Sequence, residues 1–409
     1  MKTDVVVVGG GPAGLAVSHE LTTAGRDHVV LERGAVAESW YSQRWDSLRM
    51  ITPNWMARLP GWEYRGADPD GYMSAAEVAA YLGSYATSFG APIVAGTAVR
   101  SVRSRLDRFE VRTDRGTWQA DNVVVATGAG GRPRRPAVGG RLAADLTQVC
   151  APDYRNPAML APGGVLVVGA SATGLQIADE LRTAGREVTL SVGHHGRLPR
   201  QLFGRDIWEW LEQIGWLSQT IDAVPDAGRA RREPRLQLVG RPGENLDLGV
   251  LADRGVRLVG RVSGGSGRRL RQRDDLQANV ADAEARLAQL VRRIELAAGR
   301  RVGRDDVRPV DVRPSARDTL DLRAAGITNI VWCTGQHPSY PWLDLPVRNA
   351  SGAIRQRRGV TAVSGLYVVG TRFQHRRDST FLDGLRHDAR DVITHLGAGS
   401  HARAYRLAA

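Results

Sequence analysis

Hydrophobic positions along the chain fall into a few clear patterns. Val5-Val6-Val7-Val8 and Val165-Leu166-Val167-Val168 are apolar at every position. That is the pattern of a parallel strand buried on both faces, not of a strand with one wet side. Each run ends in a glycine-rich turn, Gly9-Gly10-Gly11-Pro12-Ala13-Gly14 in the first case and Gly169-Ala170-Ser171-Ala172-Thr173-Gly174 in the second. A helix is predicted to follow each turn. Pro12 suits the first helical turn, and Leu175-Gln176-Ile177-Ala178-Asp179-Glu180-Leu181 spaces its apolar residues for one buried face. Leu276, Val280, Leu287, Val291 and Ile294 mark one face of a further amphipathic helix. Phe203, Trp208, Trp210 and Trp216 read as core packing, and the glycine- and arginine-rich stretch from Gly264 to Arg273 reads as a turn or surface loop. No apolar stretch has the roughly 18 residues of a membrane span.

A strand, a glycine turn and a helix, occurring twice, predict two dinucleotide sites. In the first, Gly9 permits the tight turn, Gly11 lets the backbone approach a pyrophosphate, and Gly14 lets helix and strand pack closely, with Pro12 and Ala13 opening the helix. The pyrophosphate then meets the positive end of that helix. The next strand, Val29-Val30-Leu31, ends in Glu32, eighteen residues beyond Gly14, where a carboxylate accepts hydrogen bonds from a ribose diol. In the second, Gly169, Ser171, Thr173 and Gly174 form the turn, and Val188-Thr189-Leu190-Ser191-Val192 places Val192 where the acid would stand. A carboxylate that would repel a 2′-phosphate is therefore absent, which favours NADPH. Arg197 and Arg200, just downstream, are candidates to pair with that phosphate because guanidinium matches phosphate bidentately. His194 and His195 read as surface residues.

Composition narrows the picture further. A chain of 409 residues suits two domains. The formal charge of +13 invites a nucleic-acid role, but arginines are scattered, Lys2 is the only lysine, and no nucleic-acid module accompanies them. Cys150 and Cys333 form no CxxC pair, which argues against a dithiol redox motif and a cysteine-built zinc site. Met1-Lys2-Thr3-Asp4 leads straight into a buried strand, so a cytoplasmic protein with no membrane partner is expected.

Beyond Glu32, the run Arg33-Gly34, then Ser39-Trp40, Arg44-Trp45-Asp46-Ser47-Leu48-Arg49 and Thr52-Pro53, resembles the N-terminal segment of the class B flavoprotein monooxygenases. The nearest branch is the bacterial group often labelled as flavoproteins related to potassium or metal-ion transport. Ala126-Thr127-Gly128 and Cys333-Thr334-Gly335 resemble that family's two strand-ending motifs at the crossings between domains. Leu366-Tyr367-Val368-Val369-Gly370, with Gly384 and Asp388-Ala389, resembles its closing FAD segment. The resemblance implies FAD in the first site and NADPH in the second. It implies an α/β fold of two Rossmann-like dinucleotide-binding domains, the NAD(P)-binding domain inserted into a discontinuous FAD-binding domain. The expected division is 1–158 and 319–409 for the FAD domain, with 159–318 for the NADPH domain.

In the resembled family NADPH reduces FAD, oxygen adds at flavin C4a, and the adduct oxygenates a small molecule. Trp40, Arg44, Asp46 and Thr52 are placed near the isoalloxazine by position in the resemblance, with Phe381 and Gly370 on its closing side. The expected partners are O2 and a small-molecule substrate with a nucleophilic nitrogen or sulfur; a homo-oligomer is compatible. Of the FxGxxxHxxx(Y/W) segment that family members with monooxygenase activity usually carry, the chain has Ala144, Leu146, Cys150 and Tyr154, so only the last position matches. Tyrosine there disfavours Baeyer-Villiger chemistry. A flavin reductase or dehydrogenase without oxygen transfer and a redox-sensing flavoprotein are the alternatives.

Overall fold

The computed structural model describes residues 1–128, 131–303, 306–312 and 318–407, with side chains through 398. The first valine run is strand β1 (Lys2–Val8), at the centre of a seven-stranded sheet. It pairs in parallel with β2 (His28–Leu31), which pairs with β3 (Ile93–Val94). An antiparallel meander, β4 (Val99–Arg105) and β5 (Arg108–Thr113), feeds β6 (Gly116–Val125), which returns beside β1. Helix α1 (Pro12–Thr23) covers one face together with α2 (Ala75–Ser88), whose N-terminus carries a Ser74/Glu77 capping box. Val5 and Val7 face this helical layer, Val6 and Val8 the other side, and all four are buried, as an unbroken apolar run requires.

The second run repeats the scheme. A five-stranded, all-parallel sheet has the order β7 (Thr147–Cys150), β11 (Ile327–Trp332), β8 (Gly164–Val168), β9 (Val188–Ser191), β10 (Arg257–Val259). Helix α3 (Ala172–Thr183) follows β8 as α1 follows β1. The amphipathic helix α4 (Leu276–Ala298) buries Leu276 and Val280 against this sheet's core and Leu287 and Ile294 against the tryptophan cluster, with Val291 half-buried. Trp208 and Trp210 are both buried, so the core-packing reading holds. The stretch from Gly264 is more than a loop: Val262–Ser266 and Arg269–Gln272 form a hairpin that takes Thr319–Asp321 as a third strand.

The expected domain boundaries need correction. Thr147–Cys150 lies before residue 159 and Ile327–Trp332 after 318, yet both are strands of the second sheet. The chain crosses instead at two turns, Thr127-Gly128 and Thr334-Gly335. The segments just beyond them, Arg132–Pro133 and Gln336–His337, pair with each other antiparallel. Short apolar runs do not reveal which sheet they will join, because only long-range pairing decides it. The final strand β12 (Leu366–Val368) returns to the first sheet alongside β6, and α5 (Leu382–Leu407) packs on α1. Among the described residues no helix is long and apolar enough to cross a membrane.

Candidate functional site

The two glycine turns are near-copies of one another. Gly9 and Gly169 have φ of +113° and +112°, in the region that favours glycine. A Cβ on Gly14 would stand 1.8 Å from the Gly9 carbonyl oxygen, and one on Gly174 would stand 1.8 Å from that of Gly169. Both helices therefore start in backbone contact with their own turn. Gly11 and Ser171, the residues before α1 and α3, share φ of −85° and −86°. Neither helix start has a side-chain cap, although Ser74, Asp206 and Asp247 cap other helices of this chain. Uncapped N–H groups at a positive helix end are an anion site. A Cβ on Gly11 would meet nothing within 4 Å, so the space a pyrophosphate needs in front of the turn is open. The residues present fit a dinucleotide at both turns.

Glu32 follows β2 where expected. Its carboxylate accepts the Gly10 N–H at 2.7 Å and the Gly34 N–H at 3.0 Å, which fixes it beside the first turn with lone pairs left for a ribose diol. Arg33 is exposed. In the repeat, Val8 pairs with Leu31 and Val168 with Ser191, so Val192 occupies the place of Glu32 by register as well as by count. Val192 is fully buried.

Arg197 and Arg200, expected at the 2′-phosphate, are each engaged by groups of the protein itself. Arg197 is 7% exposed and pairs with Asp247 at 3.0 Å and Glu284 at 2.7 Å. Arg200 is 1% exposed, pairs with Asp206 at 2.6 Å, donates to the carbonyls of Ile51 and Val239, and lies over the Tyr72 ring. Each satisfies internal carboxylates and carbonyls, because a buried guanidinium must be paired. His195, expected at the surface, is buried, with Nδ1 3.0 Å from the Gly193 carbonyl, and burial lowers its pKa. The side chain that does reach past the end of β9 is that of Arg261, with Cδ 3.6 Å from where a Gly193 Cβ would stand and its guanidinium paired with Asp275 at 3.3 Å. It follows β10, and nothing local in the sequence signals that approach.

The crossings border both turns. Gly128 and Gly335 share φ of +80°, and neither would have a neighbour within 4 Å of an added Cβ. Thr127 is exposed, and the Thr334 hydroxyl donates to the Arg134 carbonyl. Gly370, with φ of +86°, approaches Ala13: an added Cβ would lie 3.0 Å from the Ala13 Cβ. Thr173 is half-buried on the first turn of α3.

Trp40 packs against the cores of both units, and the Arg44 guanidinium lies 5.0 Å from its ring centre. Arg44 has no carboxylate partner; it donates to the Gln43 carbonyl, and desolvation lowers its pKa. Thr52 is buried, whereas Asp46 is exposed and accepts from Asn156 at 2.6 Å. Phe381 meets Trp208 edge-on at 5.2 Å. Tyr154 is fully buried and donates to Glu180 at 2.7 Å, so the surviving family position braces α3. Cys150 pairs in register with Trp332, which brings it beside the strand end that carries Cys333. Burial raises both thiol pKa values, that of Cys333 to about 12, so neither is an activated nucleophile. A cleft of about 740 Å³ between Ser47, Tyr72 and the outer face of α3 contains no glycine of either turn.

A buried acid lies on α5. Asp388 is 0% exposed and neither carboxylate oxygen meets a well-aligned donor. Burial raises its pKa far above the usual carboxylate range, opposed by the Ser379 hydroxyl and Arg376 and reinforced by Asp378 and Asp391. Asp378, paired with Arg376, is pushed up to about 6, burial again being the main cause. A raised acid is protonated when folded and ionised when unfolded, so it costs stability increasingly as pH climbs above the unfolded value of about 3.9. Asp388→Asn is therefore expected to raise the Tm at pH 8, with the gap closing toward pH 4. Thermal unfolding across that range checks this, and a gap independent of pH would refute it.

The pyridine nucleotide-disulphide oxidoreductase family model matches residues 6–212. The chain belongs to that family. An "uncharacterized oxidoreductase CzcO-like" of Geobacillus kaustophilus is 30% identical over 399 residues, covering 96% of this chain and 99% of the relative. A flavin-containing monooxygenase from Stenotrophomonas maltophilia has the same fold, with a TM-score of 0.68 at 21% identity over 97% of this chain and 98% of its own. So has an ornithine N-hydroxylase from Kutzneria sp. 744 in complex with reduced FAD, NADP+ and L-ornithine, with a TM-score of 0.61 at 17% identity over 97% and 99%. The chain is an oxidoreductase of that family with the fold of these flavin monooxygenases, the fold that the motifs around Glu32, Thr127 and Thr334 implied.

Proposed function

We propose that the protein is an FAD monooxygenase that takes its electrons from NADPH and oxygenates a nucleophilic nitrogen or sulfur of a small molecule. The duplicated turn carries this reading: two uncapped helix starts of matching geometry, one followed by Glu32 and the other by Val192, suit two different dinucleotides in one chain. The balance is NADPH, H⁺, O2 and substrate giving NADP⁺, water and the oxygenated product. When bound, the flavin supplies hydride acceptance and oxygen activation.

The chain's own residues bind, orient and keep the site dry. The N–H groups of α1 and α3 hold the two pyrophosphates, and Glu32 holds the flavin nucleotide's ribose. Val192 leaves no carboxylate at the place of Glu32 to repel a 2′-phosphate. Trp40, shared by both cores, closes the seam between the units against water, and Arg44 places an unpaired cation on its ring. Thr52 lines the same segment. Asp46, already bonded to Asn156, positions that loop without meeting the substrate.

Stopped-flow reoxidation tests the reading without knowledge of the substrate. Holoprotein reduced by NADPH and mixed with aerated buffer is expected to pass through a transient whose absorbance differs from that of both oxidised and reduced flavin. A direct, single-step return to oxidised flavin would instead favour the reductase.

A further inference from the structure

Four arginines gather around one carboxylate, Glu233, where the closing segment of the first unit meets the second, and only Arg377 pairs with it. Arg231 donates to the Phe373 carbonyl at 3.3 Å, and Arg372 donates to the Glu233 carbonyl. Arg377 pairs with the Glu233 carboxylate at 2.5 Å, bonds Gln219 at 2.7 Å and lies 5.2 Å from the Phe373 ring centre. The Arg235 side chain has no hydrogen bond or ion pair among the described residues. Glu233, already held by Arg377, leaves the other three cations without a carboxylate.

The cluster stands between the two turns. Arg235 lies two residues before Gln237, and alternate residues of an extended segment share a face. Gln237 reaches the second turn, where its Nε2 donates to the Ala170 carbonyl at 2.6 Å while its buried Oε1 has no partner. Arg372 lies two residues after Gly370, which abuts Ala13 of the first turn. Arg235 is also solvent-exposed, yet desolvation by surrounding protein lowers its pKa. Desolvation lowers Arg372 to about 10, with the Arg235 charge adding to it, so the two cations are close enough to repel. An uncompensated pair of this kind is stabilised by an anion from outside. The dinucleotide pyrophosphates are already served by the two uncapped helix starts.

We propose that Arg235 and Arg372 bind the carboxylate of an acidic substrate between the two cofactor turns, with Arg231 and Arg377 pinning the Phe373 loop that carries Arg372. The substrate class is then a small organic acid bearing the nitrogen or sulfur to be oxygenated. This rests on the monooxygenase reading for the substrate's fate but not for its binding.

The test titrates holoprotein carrying NADP⁺ with two matched pairs, 4-(methylthio)benzoate against thioanisole and (methylthio)acetate against its methyl ester, followed by calorimetry. In the parent at least one acid is expected to bind about tenfold tighter than its neutral partner, the scale of one charge-assisted contact. Arg235→Gln and Arg372→Gln are each expected to abolish that preference while NADP⁺ affinity stays within about twofold. Because the Arg235 side chain bonds nothing in the protein, Arg235→Gln is expected to keep the parent's Tm. Equal binding of acid and neutral partner in both pairs overturns the proposal. So does a tenfold loss of NADP⁺ affinity with the acid preference intact, which would assign the cations to a nucleotide phosphate. A protein that prefers the acids yet shows no stopped-flow transient keeps this site and loses the oxygenase reading.

Discussion

Gly14→Ala is expected to give a protein that neither holds flavin nor folds stably, whereas Gly11→Ala should fold like the parent and lose flavin alone. Both substitutions add one methyl group to the same turn. At Gly14 the methyl carbon would stand 1.8 Å from the Gly9 oxygen, with the Ala126 Cβ at 3.5 Å behind it. Relief requires α1 to lift off the end of β1, where Leu15, Ala16 and Val17 are fully buried, and overpacking on that scale costs roughly 1–3 kcal/mol or more. At Gly11 the methyl meets nothing within 4 Å, and its backbone matches that of Ser171, where the second turn already carries a side chain. The space it fills is the opening in front of the uncapped helix start. Visible absorbance per mole of protein measures flavin content, and thermal unfolding after flavin removal measures the apoprotein. A Gly11→Ala protein with full flavin content would show that the first pyrophosphate tolerates a side chain at this turn, as the second must at Ser171. A Gly14→Ala apoprotein as stable as the parent's would show that the close approach is not rigid.

The same contrast explains what was legible in the sequence. The two cradles could be read because their requirements are local: a valine run buried on both faces, a left-handed glycine, a glycine in contact with its own turn, and a fixed count to Glu32 or Val192. The family resemblance reached the crossings at Gly128 and Gly335 for the same reason. What could not be read depends on partners far along the chain. Ile327–Trp332 and Thr147–Cys150 carry nothing that assigns them to the second sheet, yet their pairing moves both domain boundaries. Cys150 and Cys333, distant in sequence, end neighbouring strands. Arg235 and Arg372 are 137 residues apart and look like any of the scattered arginines; only the fold separates a guanidinium without a carboxylate from one, such as Arg197, that has two.

Arg200 shows how a motif-based assignment and the fold diverge, and Arg200→Ala is expected to be the most destabilising of the arginine substitutions considered. The side chain reaches the Ile51 carbonyl at 2.9 Å and the Val239 carbonyl at 3.2 Å, and so ties the first unit to the second. It also neutralises Asp206, whose carboxylate caps the helix Ile207–Gln213 through the Trp208 N–H and accepts the Tyr72 hydroxyl at 2.9 Å. Truncation leaves a mostly buried carboxylate without its cation and the Val239 carbonyl without this donor, while Ile51 keeps the Trp208 indole N–H at 2.8 Å, a loss of about 3–5 kcal/mol. The corresponding fall in Tm is roughly 5 °C for a chain of this size. Arg200→Lys should recover little of it, because an ammonium is a compact point charge and cannot span acceptors set around a planar fork. NADPH affinity, measured on the fraction that remains folded, should stay at the parent's value. A variant with the parent's Tm and weakened NADPH binding would return Arg200 to the 2′-phosphate, and the buried geometry described for it would then have to open when the nucleotide binds.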